Sequence, residues 1–207
     1  MKVIAINGSP RAKGNTLGAI EIVAKPLVDA GVDVEIVHVG NKVIRGCLAC
    51  GMCAKNKDEK CVIDDDLNGI VQKMKHADGI ILGSPVHYSG IGGTMKSFLD
   101  RAFYVAGMNG GLFRGKVGAA IVAVRRSGGL PTMNGLNHYL NYSEMLMPTS
   151  NYWHVIHGTK PGDIMEDHEG VQIMEVLGDN FLRMLKLRDN STEVIEARKK
   201  VYTNFVR

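Results

Sequence analysis

The four cysteines of the chain, Cys47, Cys50, Cys53 and Cys61, stand in one short segment, CLACGMCAKNKDEKC, spaced C-x2-C-x2-C-x7-C. Three thiols at that close spacing wrap a loop around a small inorganic centre and turn successive backbone amides toward its sulfurs, which suits a cubane iron-sulfur cluster. A structural zinc asks instead for two separated C-x2-C knuckles or for added histidines. A disulfide framework is not expected where thiols are kept reduced. The segment equally accommodates unliganded thiols or a redox-labile pair, and Lys55, Lys57 and Lys60 are expected to lower thiolate pKa values in either case.

A second chemistry is written in NGSPRAKGNTLG, from Asn7 to Gly18, which holds small residues and bases but no acid. At the start of a helix, unpaired backbone N–H groups and the positive end of the macrodipole attract a phosphate, and hydroxyls with an arginine complete its shell. Ser9, Arg11, Asn15 and Thr16 supply that set, and Gly8 and Gly14 let the backbone approach. The spacing is neither the P-loop nor G-x-G-x-x-G, so a phosphate monoester is expected rather than a nucleoside triphosphate or a dinucleotide. An ordinary turn with Asn15 as N-cap is the plainer alternative. Two more segments are unusual. GSPVHYSGIGGTMKSFLDR, Gly83 to Arg101, offers amides, an aromatic face and hydroxyls to a flat heteroaromatic ring; RRSGGLPT, Arg125 to Thr132, is a basic, glycine-rich loop.

These segments must be positioned by regular elements. Lys2–Ile6, Val32–Val39, Gly79–Leu82, Lys116–Val124 and Trp153–Ile156 read as strands; Asn15–Ala30, Asp64–His76, Thr94–Ala106, Leu136–Leu146 and Gly170–Leu187 read as helices. Nearly continuous apolar strands joined by helices imply a parallel sheet covered on both faces, an α/β three-layer sandwich of about five strands. Such sheets bind ligands at the carboxyl ends of their strands, where all three unusual loops fall.

With 207 residues, 45% hydrophobic and 22% charged, the chain is expected to form a single domain, 1–207, with a cysteine-rich loop at 46–62. The formal charge of +4 is dispersed, so neither nucleic acid nor a membrane surface is expected as partner. There is no signal-like opening and no apolar run long enough to span a bilayer, which gives a cytoplasmic expectation.

Gly-Ser-Pro-Arg with Asn15 and Thr16, Ser-Pro-Val-His-Tyr-Ser-Gly leading into Met95, Lys96, Phe98, Leu99, Asp100 and Arg101, and the basic Gly-Gly loop together resemble the NAD(P)H-dependent FMN reductase family of flavodoxin-like proteins. The resemblance covers about the first two thirds of the chain. It implies sheet order 2-1-3-4-5 and an FMN phosphate held by Ser9, Arg11, Asn15 and Thr16. Pro85, Val86, His87, Tyr88, Ser89 and Gly90 would lie along the isoalloxazine, with Ser127, Gly128 and Gly129 on its other flank. It also implies a homodimer or homotetramer with the flavin near a subunit interface. The cysteine segment is similar to the compact motif of the iron-sulfur flavoproteins, a branch in which four cysteines hold a [4Fe-4S] cluster and electrons pass between a ferredoxin-like partner and FMN. The long final gap and the lack of a proline after Cys61 depart from that pattern.

Because the flavin carries the redox chemistry, no side chain need act as nucleophile or base. Arg126 is a candidate cation for stabilising reduced flavin, and His87 either donates to the ring or packs beside it. His154 and His157 lack a third metal ligand, and Asp64, Asp65 and Asp66 suit the first turn of a helix. HGTKPGDIMEDHEG, His157 to Gly170, either covers a neighbour's active site or merely connects, and the tail Ser191–Arg207 is amphipathic at best. Two functions follow: an enzyme that passes hydride from NAD(P)H through FMN to a flavin or quinone, or an electron carrier pairing a cluster with FMN. An FMN-binding module without chemistry is a third.

Overall fold

In the computed structural model, which describes residues 1–191, 197, 198, 201 and 203, a parallel sheet is assembled from β1 (Lys2–Asn7), β2 (Asp33–His38), β3 (Gly79–His87), β5 (Val117–Val124) and β6 (Val155–His157). Their order is β2-β1-β3-β5-β6, the flavodoxin-like order expected for five parallel strands. The sixth strand, β4 (Gly90–Ile91), is a short antiparallel return on β3. The pattern read over 191–207 lies almost wholly outside the described residues.

The strand pleat sorts alternate side chains into two cores. Val3, Ala5, Ile81 and Ile121 face α1 (Asn15–Asp29) and α6 (His168–Asp189). Ile4, Ile6, Ile80 and Val122 face α3 (Leu67–His76), α4 (Gly93–Met108) and α5 (Gly129–Tyr142). A short helix, α2 (Met52–Asn56), lies inside the cysteine segment. No helix among the described residues is long and apolar enough to cross a membrane.

Of the boundaries that differ from the sequence reading, three have a clear local cause. α5 begins at Gly129 rather than Leu136, because Gly128 takes φ +87° at the N-cap and Pro131 falls in the first turn, where its missing N–H costs nothing. α3 begins at Leu67 rather than Asp64: Asp66 stands at its N-cap, and Asp65 accepts the Leu67 amide at 3.2 Å while also pairing with Arg101. β3 runs on through Pro85 and Val86 to His87, and a two-residue turn at Tyr88 (φ 47°) and Ser89 (φ 59°) reverses the chain into β4. What reads as a loop is therefore partly a hairpin.

Candidate active site

The turn after β1 is held open by its own polar groups. The Ser9 amide donates to Asn7 Oδ1 at 3.0 Å, the Arg11 amide donates to Ser9 Oγ at 3.1 Å, and His38 Nε2 donates to the Ser9 carbonyl at 2.7 Å. Gly40 lies so close beneath it that an added Cβ would stand 2.0 Å from the Ser9 oxygen. Asn7, Ser9 and Thr16 are buried, whereas Arg11 is exposed. Gly14 occupies the N-cap of α1 in an extended conformation, and no side chain caps the helix. The first-turn amides of α1 are thus left to a ligand.

Ser9, Arg11, Asn15 and Thr16 line one cavity of about 240 Å3 together with Pro85, Val86 and His87. Arg125 and Thr159 join them, and no carboxylate does. Two cations, hydroxyls and a bare helix start suit a phosphate. Arg125 stands two residues after Ala123, which lines the same cavity, so the pleat of β5 accounts for its placement. Arg126, one residue on, is turned away with Val124 into a second cavity of about 410 Å3. Asn15 is the first residue of α1 rather than its cap, and its Oδ1 accepts the Gly162 amide at 3.0 Å. That bond draws the segment after β6 over the cradle of its own chain.

The other expected residues divide. Ser89 and Gly90 lie on the hairpin, and Tyr88 at its tip is fully exposed. Ser127, Gly128 and Gly129 line the second cavity, beside Trp153 and His157. The two turns nevertheless touch: a Cβ on Gly128 would meet Ser89 Cα at 2.8 Å and Val86 Cγ1 at 2.9 Å. His154 is half-buried with Nδ1 3.1 Å from the Ala120 carbonyl, and desolvation holds its pKa below the ordinary histidine value. His157 pairs with Asp167 at 3.0 Å.

All four cysteines line a single pocket with Arg101 and Tyr104. Cys47 and Cys50 are exposed, Cys61 is half-buried, and Cys53 is buried. Left-handed Ala49 and Gly51 fold the segment tightly, and the Ala49 amide reaches Cys47 Sγ at 3.4 Å. Asn68 pins Cys61 through both its amide and its carbonyl, at 2.8 and 2.9 Å. Asn109 Nδ2 donates to the Cys53 carbonyl at 3.3 Å. Burial pushes the Cys53 thiol above its ordinary pKa, with Cys61 and Cys50 adding to the effect. The expected lowering by neighbouring lysines is absent there, and the Lys57 ammonium is bonded to the Met108 carbonyl. Among the described residues no three His, Cys, Asp or Glu side chains close on one point as a single metal ion requires. A cubane instead takes one thiolate at each of four irons. Four thiols around one pocket that Arg101 also lines, its buried Nε left without a hydrogen-bond partner, fit such a group.

Residues 1–160 match the model of the NADPH-dependent FMN reductase family. The chain belongs to that family. Among its relatives, an iron-sulfur flavoprotein of Methanocaldococcus jannaschii is 36% identical over 194 residues, covering 90% of this chain and 98% of the relative. The fold of this FMN reductase-family protein is similar to RosB, solved with a formylated riboflavin phosphate, at a TM-score of 0.72 and 16% identity, covering 100% of this chain and 94% of that one. It is also similar to an archaeal flavodoxin, at a TM-score of 0.59 and 20% identity over 90% of this chain and 99% of the flavodoxin. The protein is an FMN-dependent oxidoreductase, and within the family it groups with the iron-sulfur flavoproteins.

Proposed function

We propose that this oxidoreductase works as an iron-sulfur flavoprotein, with a [4Fe-4S] cluster on Cys47, Cys50, Cys53 and Cys61 and the FMN phosphate on Ser9, Arg11, Asn15 and Thr16. The observation that carries the reading is the convergence of all four thiols on one pocket, in a chain whose full-length relatives are named for such a centre. When bound, the cluster exchanges single electrons and FMN exchanges two, so the pair interconverts the two kinds of traffic.

The chain's own residues hold and tune these groups. Arg11 and Arg125 neutralise the phosphate, while Ser9, Thr16 and the α1 amides bond its oxygens. Pro85 to Gly90 form one wall for the isoalloxazine and Ser127 to Gly129 the other, joined where Gly128 packs on Ser89. Backbone amides of these turns and a nearby arginine stabilise negative charge on the reduced ring. Exposed Cys47 and Cys50 open the cysteine pocket to a ferredoxin-like partner. The assembly is a homodimer or homotetramer, which brings the centre of one subunit toward the flavin of another.

A second reading, supported by the family's description, is a reductase that takes hydride from NAD(P)H and passes electrons through FMN to a flavin or quinone. One experiment separates the two. Anaerobically purified protein is analysed for iron, sulfide and absorbance, then mixed with NADPH and with reduced ferredoxin. About four irons per chain, as a cubane requires, with reduction by ferredoxin supports the carrier. Flavin bands alone, bleached by NADPH, support the reductase and overturn the cluster.

A further inference from the structure

Among the described residues, the largest fully buried side chain is a cation. Arg101 stands on the inner face of α4 in a stripe with Phe98, Ala102 and Val105, all buried, so helical periodicity drives a guanidinium into an otherwise apolar core. Burial of a charge is costly unless partners compensate it. Arg101 Nη1 donates to Asp65 Oδ2 at 2.5 Å and to the Arg45 carbonyl at 3.3 Å. Its Nη2 donates to Asp65 Oδ1 at 3.0 Å and to the Ile63 carbonyl at 3.4 Å.

Those four bonds have a pattern. Arg45 immediately precedes the cysteine segment; Ile63 and Asp65 immediately follow it. One side chain therefore ties both ends of the loop that carries Cys47, Cys50, Cys53 and Cys61 to a single post on α4. A guanidinium has five N–H donors. Four are spent on the loop ends, and the fifth, on Nε, is buried without a partner in a residue that lines the same pocket as the thiols. Among the described residues it is the one buried side-chain nitrogen or oxygen left in that state. Arg101 and Cys61 line the same pocket. An orphaned donor of this kind asks for an acceptor. The side-chain acceptors that line that pocket are the four cysteine sulfurs and the Tyr104 hydroxyl, and the sulfurs are in the majority.

We propose that Arg101 is the positioning residue of the cysteine centre: it closes the loop at both ends and donates its remaining N–H, from Nε, to a sulfur of that centre, raising the centre's reduction potential. The inference rests on the cluster reading above. N–H···S bonds and nearby positive charge stabilise the reduced, more negative cluster, so removing them lowers its potential. Asp65 opposes that effect while anchoring the guanidinium.

The test uses the anaerobically purified, cluster-loaded protein with Arg101→Lys and Asp65→Asn, and follows the cluster by electron paramagnetic resonance during potentiometric titration. Arg101→Lys keeps a charge but lacks the Nε donor and the fork; its cluster midpoint potential falls while the FMN potential stays as in wild type. Asp65→Asn removes a negative charge beside the same guanidinium, and its cluster potential rises. A merely structural arginine lowers iron content and melting temperature without moving the potential of the loaded fraction, and that result overturns the proposal. If Arg101→Lys does not load, Asp65→Asn decides: a rise supports the proposal and an unchanged potential overturns it. Wild-type protein that takes up no iron and sulfide overturns the cluster reading and this inference together, whereas a loaded wild type with unshifted variants overturns this inference alone.

Discussion

Gly40→Ala is the sharpest test of the phosphate cradle, because it perturbs the turn from beneath without touching a proposed ligand atom. The new Cβ would stand 2.0 Å from the Ser9 carbonyl oxygen, 2.2 Å from its carbon and 2.6 Å from the Gly8 carbon. These are backbone atoms, so no side chain can swing aside. To move the oxygen from 2.0 Å out to the 3.4 Å where ordinary contact begins, the Ser9 peptide must retreat by about 1.4 Å. The Ser9 peptide also carries the bonds to Asn7 and His38. Overpacking of this kind costs about 1–3 kcal/mol, a fall in melting temperature of about 2–12 °C for a chain of this size. If the shift breaks two charge-assisted phosphate bonds worth about 1.5–3 kcal/mol each, the FMN Kd rises by about a hundredfold to ten-thousandfold. The assay is quenching of FMN fluorescence by the apoprotein, alongside thermal unfolding without flavin. Gly69→Ala is the control: it lies on the exposed side of α3 with nothing within 4 Å of an added Cβ. That variant is expected to gain up to about 1 kcal/mol from helix propensity and to bind FMN as wild type does. A destabilised Gly40→Ala protein whose FMN Kd stays within about threefold of wild type refutes the assignment of this turn to the phosphate.

Two further outcomes are expected. Arg11→Ala combined with Thr16→Ala weakens FMN retention more than Cys50→Ala does, since the first pair lines the cradle and Cys50 lines the separate thiol pocket; dialysis followed by flavin absorbance measures it, and equal losses count against the phosphate assignment. Asp167 caps α6 by accepting the Gly170 amide at 2.9 Å, and it also accepts the His157 amide at 2.7 Å. Burial works against that carboxylate, but the Gly170 and His157 amides and the His157 ring hold its pKa below the ordinary Asp value. A depressed folded-state pKa contributes stability that is present above about pH 4 and is lost as pH falls through the folded value. Asp167→Ala is therefore expected to cost about 0.5–2 kcal/mol in urea unfolding at pH 7, with the gap from wild type closing on acidification; a gap unchanged at about pH 2 contradicts the ionic part of the cap.

Local signals account for much of the architecture. Val3 to Ile6 and Val117 to Val124 are apolar without interruption because both faces of the sheet are covered, and the sequence shows that directly. The acid-free stretch between Asn7 and Thr16 and the clustering of the cysteines are equally local, so both pockets are recognisable before any fold is known. The start of α5 was hidden because Gly128 and Gly129 read as loop residues, although the first of them serves as a left-handed N-cap.

Sequence by itself determined the order of strands and helices, the family resemblance, and the two sets of residues that line the cradle and the thiol pocket, because hydrophobic period, glycine placement and cysteine spacing are properties of neighbours along the chain. Only the tertiary structure decided how the sites are finished. It assigned Arg125 to the cradle and Arg126 to the second cavity through the pleat of β5, and it brought Gly162 onto Asn15 across 147 residues. It also buried Arg101 against Asp65, 36 residues away, an acid that the sequence reads only as part of the start of a helix. Such pairings are chosen by which faces of packed elements meet, and no window along the sequence contains both partners.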